Sequence, residues 1–405
     1  MKIAPSGPRV AIMFDTFGPY HLARLNAVGA VLPTLGLEVA SRSAIYDWDP
    51  TSGASTFERT TLFRGRGSRN YRFEEIASKL DDVLQAFKPE AVLVPGWASK
   101  AAIGMLRWAI RQNVPAVILS ESTAHDAPRS PWREAVKRGL VGCFAAGLVG
   151  GRSHAAYLEQ LGLPRDRIFF GYDIVDNMHF AHGTAEARAD EAAERNRLAL
   201  LDRFFLASAR FVPNKNLIGL IDAYAHYRQG AGASAWGLVL LGDGAQRAEI
   251  EARIAAHGIG DHVALPGFKQ YGDLPAYYGL AGAFVHVSRV EPWGLVVNEA
   301  MAAGLPVVVS SSCGCAPELV TEGKNGFVVE AGDIGILADR LAELAGMDPN
   351  ARSEMGERSS EIIAPWSPAR FAEGCRATVE TAMRVGSGQA GPARRALVNA
   401  YSHAV

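Results

Sequence analysis

Cysteine is scarce in this chain of 405 residues. Cys143, Cys313, Cys315 and Cys375 are scattered without a disulfide framework or a zinc spacing, which suits a reducing compartment. Long apolar runs are missing as well. Uncharged stretches such as Gly139–Gly151 fall short of the roughly 20 residues that a membrane-spanning helix needs. Lys2 is followed by Pro5, Ser6 and Gly7, a poor start for a secretory signal, so a cytoplasmic setting is expected. Neither sign of charge dominates, with 41 Lys and Arg against 42 Asp and Glu, and no nucleic-acid partner is expected. The turn after the first apolar run, Asp15-Thr16-Phe17-Gly18-Pro19, is not a G-x-G-x-x-G fingerprint, which disfavours a dinucleotide-dependent dehydrogenase.

What is present is an alternation of short apolar runs and helical stretches. Hydrophobic content of 48% and charge of 20% are ordinary for a folded chain, and the length favours two or three domains. Arg9 to Phe14 reads as a buried strand and Tyr20 to Leu35 as the helix after it. Residues 42–72 lack periodicity. They carry Arg59, Arg64, Arg66, Arg69 and Arg72, a basic loop suited to acceptor phosphates, to a membrane or only to solvent. From Phe73 the alternation resumes: helix to Phe87, strand Ala91 to Pro95, helix Ser99 to Arg111, strand Ala116 to Ser120. Such repeats predict parallel sheets covered on both faces, with ligands at the carboxyl ends of the strands. Residues 181–199 read as a solvated helix, and the Gly-, Ser- and Pro-rich tail from Gly386 as mobile. Charge is uneven along the chain. Residues 1–172 hold 21 Lys and Arg against 15 Asp and Glu, so the first half suits an anionic acceptor, a lipid surface or the acidic second half.

The most informative stretch runs from Val290 to Met301. Glu291 and Glu299 stand eight residues apart, with Pro292 and Gly294 between them, after the apolar run Ala283 to Val287 and across the start of a helix. The amides of Gly294, Leu295 and Val296 fall in the first turn of that helix, a natural anion site. With Ala302-Ala303-Gly304-Leu305-Pro306-Val307-Val308-Val309-Ser310 behind it, the stretch resembles the E-x7-E signature of family 4 glycosyltransferases and their retaining relatives.

That resemblance implies roles for particular residues. Glu291 would hold hydroxyls of the transferred sugar and Glu299 the ribose of the nucleotide. Arg210 and Lys215, in Ser208-Ala209-Arg210-Phe211-Val212-Pro213-Asn214-Lys215-Asn216, resemble the Arg and Lys that grip the diphosphate, with Ala209 and Asn216 where the family has glycines. His125, after the strand ending at Ser120, resembles a histidine placed against the sugar, with Asp126 to orient it. Gly18 in the first loop, Gly242 in the Gly242-Asp243-Gly244 turn, and Phe268 and Lys269 after the strand from His262 would complete the donor contacts, and His21 is a weaker candidate. Cys313-Gly314-Cys315 matches a structural turn of the family rather than a metal or redox pair.

The expected fold is α/β of the GT-B architecture, two doubly wound Rossmann-like domains facing across a cleft. Residues 1–172 would form the acceptor-side domain and 173–365 the nucleotide-sugar domain. Residues 366–385 would be a helix returning to the first domain and 386–405 a flexible tail. The implied reaction is transfer of a hexosyl unit from a UDP- or GDP-sugar, with retention, to a hydroxyl of a glycan or lipid-linked acceptor in cell-surface polysaccharide or lipid-linked glycan synthesis. Peripheral contact with the inner face of a membrane fits that expectation. No cofactor or metal is expected, because cations and amides can neutralise the diphosphate. The alternatives are a small-molecule acceptor, or a non-catalytic nucleotide-sugar-binding protein of the same fold.

Overall fold

A computed structural model describes residues 5–43, 48–49, 55–387 and 390–402. The chain divides into two units, one running to Val175 and resuming at Pro368, the other Asp176–Ser367.

The first unit is built on the apolar runs expected to be strands. β1 (Val10–Phe14), β2 (Thr34–Arg42), β3 (Glu58–Arg66), β4 (Ala91–Pro95), β5 (Ala116–Ser120), β6 (Ala146–Val149) and β7 (Ile168–Phe170) form one sheet in the order β3-β2-β1-β4-β5-β6-β7. Their pairing is parallel throughout. Strands buried on both faces need continuous apolar sequence, and β1, β5 and β6 are buried at every position. Connecting them are α1 (Pro19–Gly29), α2 (Phe73–Phe87), α3 (Lys100–Gln112), α4 (Pro131–Val141) and α5 (Arg152–Gln160). The Ser99 side chain accepts from the Ala102 amide and so caps α3.

The second unit begins with α6 (Asn177–Ala189) and α7 (Glu191–Leu198). Its sheet comprises β8 (Phe204–Ser208), β9 (Gly237–Leu241), β10 (Val263–Gly267), β11 (Ala283–His286), β12 (Val307–Ser310) and β13 (Gly326–Val329), ordered β10-β9-β8-β11-β12-β13. These strands too are parallel. The helices are α8 (Leu217–Ala231), α9 (Arg247–Ala256), α10 (Leu274–Leu280), α11 (Leu295–Ala302), α12 (Ala316–Leu319), α13 (Ile334–Gly346) and α14 (Pro349–Ile363). The chain then returns to the first unit as α15 (Pro368–Val385) and α16 (Pro392–Ser402).

Four expectations need correction. The first helix ends at Gly29 rather than Leu35, because Pro33 cannot continue it and the following apolar stretch becomes β2. Much of the expected basic loop is the edge strand β3 and a short 3₁₀ turn at Ser68–Asn70. Its charges suit an edge strand, where they discourage pairing with another chain. The supposed solvated helix over 181–199 is two helices. The first, α6, buries Phe180, Thr184 and Ala187 against α10 and α11. Arg188 of α6 donates to the carbonyls of Gly279 at 2.8 Å and Ala303 at 3.2 Å. The tail is not mobile through residues 390–402: α16 packs on α3 and α4, burying Val398 and setting Leu397 against Gly139.

Ending the chain at Val385 should therefore destabilise the first unit. Re-exposing Ala390 and Val398 and part of Leu397 corresponds to about 2–4 kcal/mol. Urea unfolding of the truncated chain measures it, and an unchanged midpoint would restore the mobile-tail reading.

Candidate functional site

In the second unit the strand order reverses between β8 and β11. Loops leaving adjacent strands there part in opposite directions and leave a crevice, the usual ligand position in open α/β sheets. Arg210 and Lys215 lie on the loop leaving β8, and Glu291 lies on the loop leaving β11. The two loops are tied together. The Arg289 amide donates to the Asn214 carbonyl at 2.8 Å, and its Nε donates to Asn216 Oδ1 at 3.0 Å. Asn216 holds a left-handed φ of 56°, a conformation that Gly and Asn tolerate best, so Asn can stand where the resembling family has glycine.

This geometry aims Lys215 Nζ at Glu291 Oε2, and the two form a close ion pair with side chains only 14% and 12% exposed. His286 Nε2, at the end of β11, lies 3.0 Å from the same oxygen, and Ser288 Oγ donates to it at 3.3 Å. Burial works against the charge on Glu291, but His286 and then Lys215 outweigh it and hold its pKa near 2. For His286, burial again opposes charge, while Cys313 and Glu291 raise the pKa to about 9. At neutral pH the cluster is thus a carboxylate between two cations.

The rest of the Glu291 loop is clamped from behind. Gly314 N–H donates to the Glu291 carbonyl at 3.0 Å and Cys315 N–H to the Trp293 carbonyl at 3.2 Å. Trp293 is buried against Trp366 and donates from Nε1 to Asn298 Oδ1 at 2.9 Å. The two cysteines are buried and unbridged, which makes 313–315 a structural support. Gly294 turns the chain into α11 with φ 102°, accessible to few residues besides glycine. The amides of Gly294, Leu295 and Val296 follow directly, at the positive end of that helix.

Other sequence-predicted positions fall around the same strand ends. Arg210 is half-buried. Gly242, with φ 124°, sits so close to the Ala209 carbonyl that a Cβ there would stand 1.8 Å from its oxygen; this glycine locks the β9 turn against the β8 loop. Phe268 is exposed after β10, and Lys269 lies 5.6 Å from the Tyr277 ring. Glu299 is fully buried. Its carboxylate accepts from the Tyr278 hydroxyl at 2.6 Å and is closed off from solvent.

In the first unit, the sheet reverses between β1 and β4, and Gly18 lies in the loop leaving β1. Its backbone is extended, and Gly18 is buried, with Trp48 3.6 Å from where a Cβ would stand. Gly18 N–H donates to His21 Nδ1 at 3.0 Å, and burial followed by Arg24 lowers the His21 pKa to about 3, so this imidazole is neutral and caps α1. His125 is exposed on the loop after β5. Asp126 does not orient it: that carboxylate accepts from the Thr123 amide at 2.6 Å and hydroxyl at 2.5 Å. The His125 loop is instead pinned by Arg129, which donates to the Thr123 and Ala124 carbonyls and to the Tyr157 hydroxyl.

Three contributors escaped the sequence reading: His286, Arg129 and Glu38. Glu38, on β2, is buried and accepts from the Phe17 amide at 2.8 Å, the Thr61 hydroxyl at 2.7 Å and the Arg59 guanidinium at 3.2 Å. It fixes the Gly18 loop, and it engages one arginine that had been a candidate for acceptor phosphates. A charged residue inside β2's apolar run was the available signal. The sequence also holds an Asp-x-Asp triplet, Asp47-Trp48-Asp49, whose first residue lies outside those described. Among the described residues no group of three or more His, Cys, Asp or Glu is placed to hold a metal ion. No described helix is long and apolar enough to cross a membrane.

A family model for glycosyl transferases group 1 matches residues 189–361. The GDP-mannose-dependent alpha-(1-6)-phosphatidylinositol monomannoside mannosyltransferase of Mycobacterium tuberculosis is 33% identical over 195 residues, 45% of this chain and 50% of its own. The chain thus spans half the length of that relative. The WcaL protein of Salmonella typhimurium, whose name refers to colanic acid biosynthesis, is 26% identical over 326 residues, 77% of this chain and 74% of its own. Among solved structures, sucrose-phosphate synthase from Thermosynechococcus elongatus aligns with a TM-score of 0.71 at 20% identity, covering 91% of this chain and 98% of its own. HepE of Anabaena, solved with UDP and glucose, aligns with a TM-score of 0.70 at 18% identity, covering 92% and 100%. These structures share the fold, two Rossmann-like α/β domains of the GT-B type.

The charges at the site predict a pH signature. The raised pKa of His286 gives stability that is full below its ordinary 6.5 and is lost as pH rises through about 9. The depressed pKa of Glu291 gives stability present above its ordinary 4.5 and lost as pH falls toward 2. Relative to His286→Gln, the parent should be most favoured between pH 4.5 and 6.5 and should lose on the order of 2–3 kcal/mol of that advantage by pH 9. Denaturant titrations of both proteins across this range provide the check, and a flat difference from pH 6.5 to 9 would contradict the assignment.

Proposed function

We propose that the chain transfers a hexosyl unit from a UDP- or GDP-sugar to an acceptor hydroxyl, with retention at the anomeric carbon. The observation that carries this reading is the Lys215–Glu291–His286 cluster at the sheet reversal of the second unit, beside the amides that open α11. The match to the glycosyl transferases group 1 model over residues 189–361 supports it, since that segment contains the whole cluster.

In the proposed reaction the bond between the sugar and the diphosphate oxygen breaks, and its electron pair stays with the diphosphate. The acceptor oxygen bonds to the anomeric carbon on the face being vacated, and its proton passes to the departing phosphate oxygen. Charge grows on the diphosphate as the bond breaks. Arg210, Lys215 and the Gly294, Leu295 and Val296 amides are preorganised to stabilise that growth, so they favour the transition state over the bound donor. Glu291, held ionised by its cations, accepts from sugar hydroxyls and fixes the ring, and His125 is assigned to the same sugar. Gly18 and Gly242 are assigned to the donor, and Phe268 and Lys269 to the base. Glu299 is assigned to the ribose, which requires its carboxylate to turn away from Tyr278. With this set of cations and amides, the transfer requires no divalent metal or other cofactor. A glycan or lipid-linked acceptor is favoured, in keeping with the phosphatidylinositol mannoside and colanic acid relatives.

A thermal-shift series with UDP, GDP, ADP and dTDP tests the donor site. One base should stabilise selectively, by about 2.7 kcal/mol at 100 times its dissociation constant. Lys215→Ala should weaken that nucleotide roughly 10- to 100-fold, the worth of a charge-assisted hydrogen bond. Glu291→Gln should keep nucleotide binding and lose turnover of the matching nucleotide sugar. Absence of any selective shift, or an unchanged response in Lys215→Ala, would overturn the assignment. The anomeric configuration of the product, read by NMR coupling constants, decides retention.

A further inference from the structure

Glu291 meets two cations at one oxygen, and the two are mounted differently. His286 closes β11, a strand paired to β8 on one side and to β12 on the other, and only 4% of the residue is exposed. Its Nε2 lies 3.0 Å from Glu291 Oε2 and 3.2 Å from Ser288 Oγ, with Cys313 also against the ring. A carboxylate only accepts, so Nε2 is the donor. Packed at the end of a central strand, this imidazole is a fixed partner. Lys215 ends the short turn Pro213–Lys215 after β8 and brings its ammonium to the same oxygen on a flexible four-carbon stem. It is the partner that can move.

The helix start assigned to the diphosphate adjoins this cluster. A Cβ added to Gly294 would stand 3.4 Å from Glu291 Cγ and 3.5 Å from His286 Cδ2. A diphosphate at the first-turn amides of α11 thus comes close to the Glu291 carboxylate, and it carries more charge than one carboxylate. Lys215 then has two competing acceptors. Withdrawing it from Glu291, which is only 12% exposed, is steeply unfavourable where the carboxylate is left without a partner. His286 and Ser288 remain on that carboxylate after Lys215 departs, so the exchange leaves no bare charge behind.

We propose that Glu291 and the diphosphate of the nucleotide compete for Lys215, and that His286 is the positioning residue that holds Glu291 in place when the phosphates take Lys215 over. On the donor-site reading above, on which this rests, a strand-borne donor sets Glu291 for the sugar hydroxyls while the loop-borne cation serves the leaving group.

Titration calorimetry of the full chain with UDP, GDP, ADP and dTDP, each without a sugar, tests the exchange through two double-substitution cycles. Glu291→Gln should tighten the diphosphate about fivefold by releasing Lys215, and the gain should vanish in a Lys215→Ala background. His286→Gln should weaken it about tenfold, but by less than about twofold in a Glu291→Gln background, where no carboxylate is left to hold Lys215. A histidine with only a structural role would cost the same in both backgrounds. The proposal is overturned if Glu291→Gln weakens the diphosphate, or if the His286 loss is equal in both backgrounds. It is also overturned if the Glu291→Gln gain survives Lys215→Ala, which would make Glu291 a plain repulsive charge. Thermal midpoints without nucleotide report folding; should His286→Gln not fold, the cycle of Glu291 with Lys215 decides alone. A parent that binds none of the four nucleotides overturns the transferase reading and this proposal together, whereas a parent weakened by Lys215→Ala whose cycles are additive overturns this proposal only.

Discussion

The arrangement of the second unit depends on one ion pair, that of Lys215 with Glu291. Two opposite charges, each almost withdrawn from water, are stable only while they face each other; removing one leaves the other desolvated and unpaired, at a penalty of roughly 3–5 kcal/mol. Their loops leave different strands, so the pair exists only because the sheet reverses there and the loops are fastened on both sides. Arg289 ties the β8 loop to the β11 loop, and the amides of Gly314 and Cys315 hold the Glu291 loop from the β12 side. His286 adds a second cation to the same carboxylate oxygen. The surplus of positive charge, next to the first-turn amides of α11, is the electrostatic condition for holding an anion as charged as a diphosphate.

The first unit uses a related device with a different outcome. Glu38, in the middle of β2, is also a buried carboxylate, and it gathers an arginine, a hydroxyl and a backbone amide. There the carboxylate holds a loop, and the ring of Phe17 covers the arginine at 5.1 Å. Glu38 is positioned by β2, and Glu291 by the loop that leaves β11. They differ in what remains accessible: Glu38 is spent on its own loop, whereas Glu291 keeps an edge open to solvent.

Much of the architecture was legible because buried parallel strands must be continuously apolar. Ala91–Pro95 and Ala116–Ser120 carry that pattern with clear ends, and their bounds coincide with those read from the sequence. β2 was hidden because α1 and β2 are both apolar and only Pro33 separates them. β3 was hidden because an edge strand carries charge and loses the alternation that marks a strand. α16 was masked by the Gly- and Ser-rich link before it, although Pro392 at its start and the Leu397–Val398 pair state a helix with one buried side. At the site, Glu291 was found through its spacing from Glu299 across a strand-to-helix loop, and Lys215 through the family resemblance. His286 was not, because a histidine within Ala283–Val287 looks like one more core residue until Glu291 is seen to fold back onto it.

Net charge was the least reliable guide to where an anion would be held. The second unit has 15 Lys and Arg against 24 Asp and Glu, yet Lys215 and His286 meet on one carboxylate oxygen of Glu291. The basic first unit inverts the relation. Arg59, on the stretch expected to be a loop, is bound to Glu38. For this chain, the sign of a surface follows from which charges are already paired, and pairing is a property of the fold rather than of the composition.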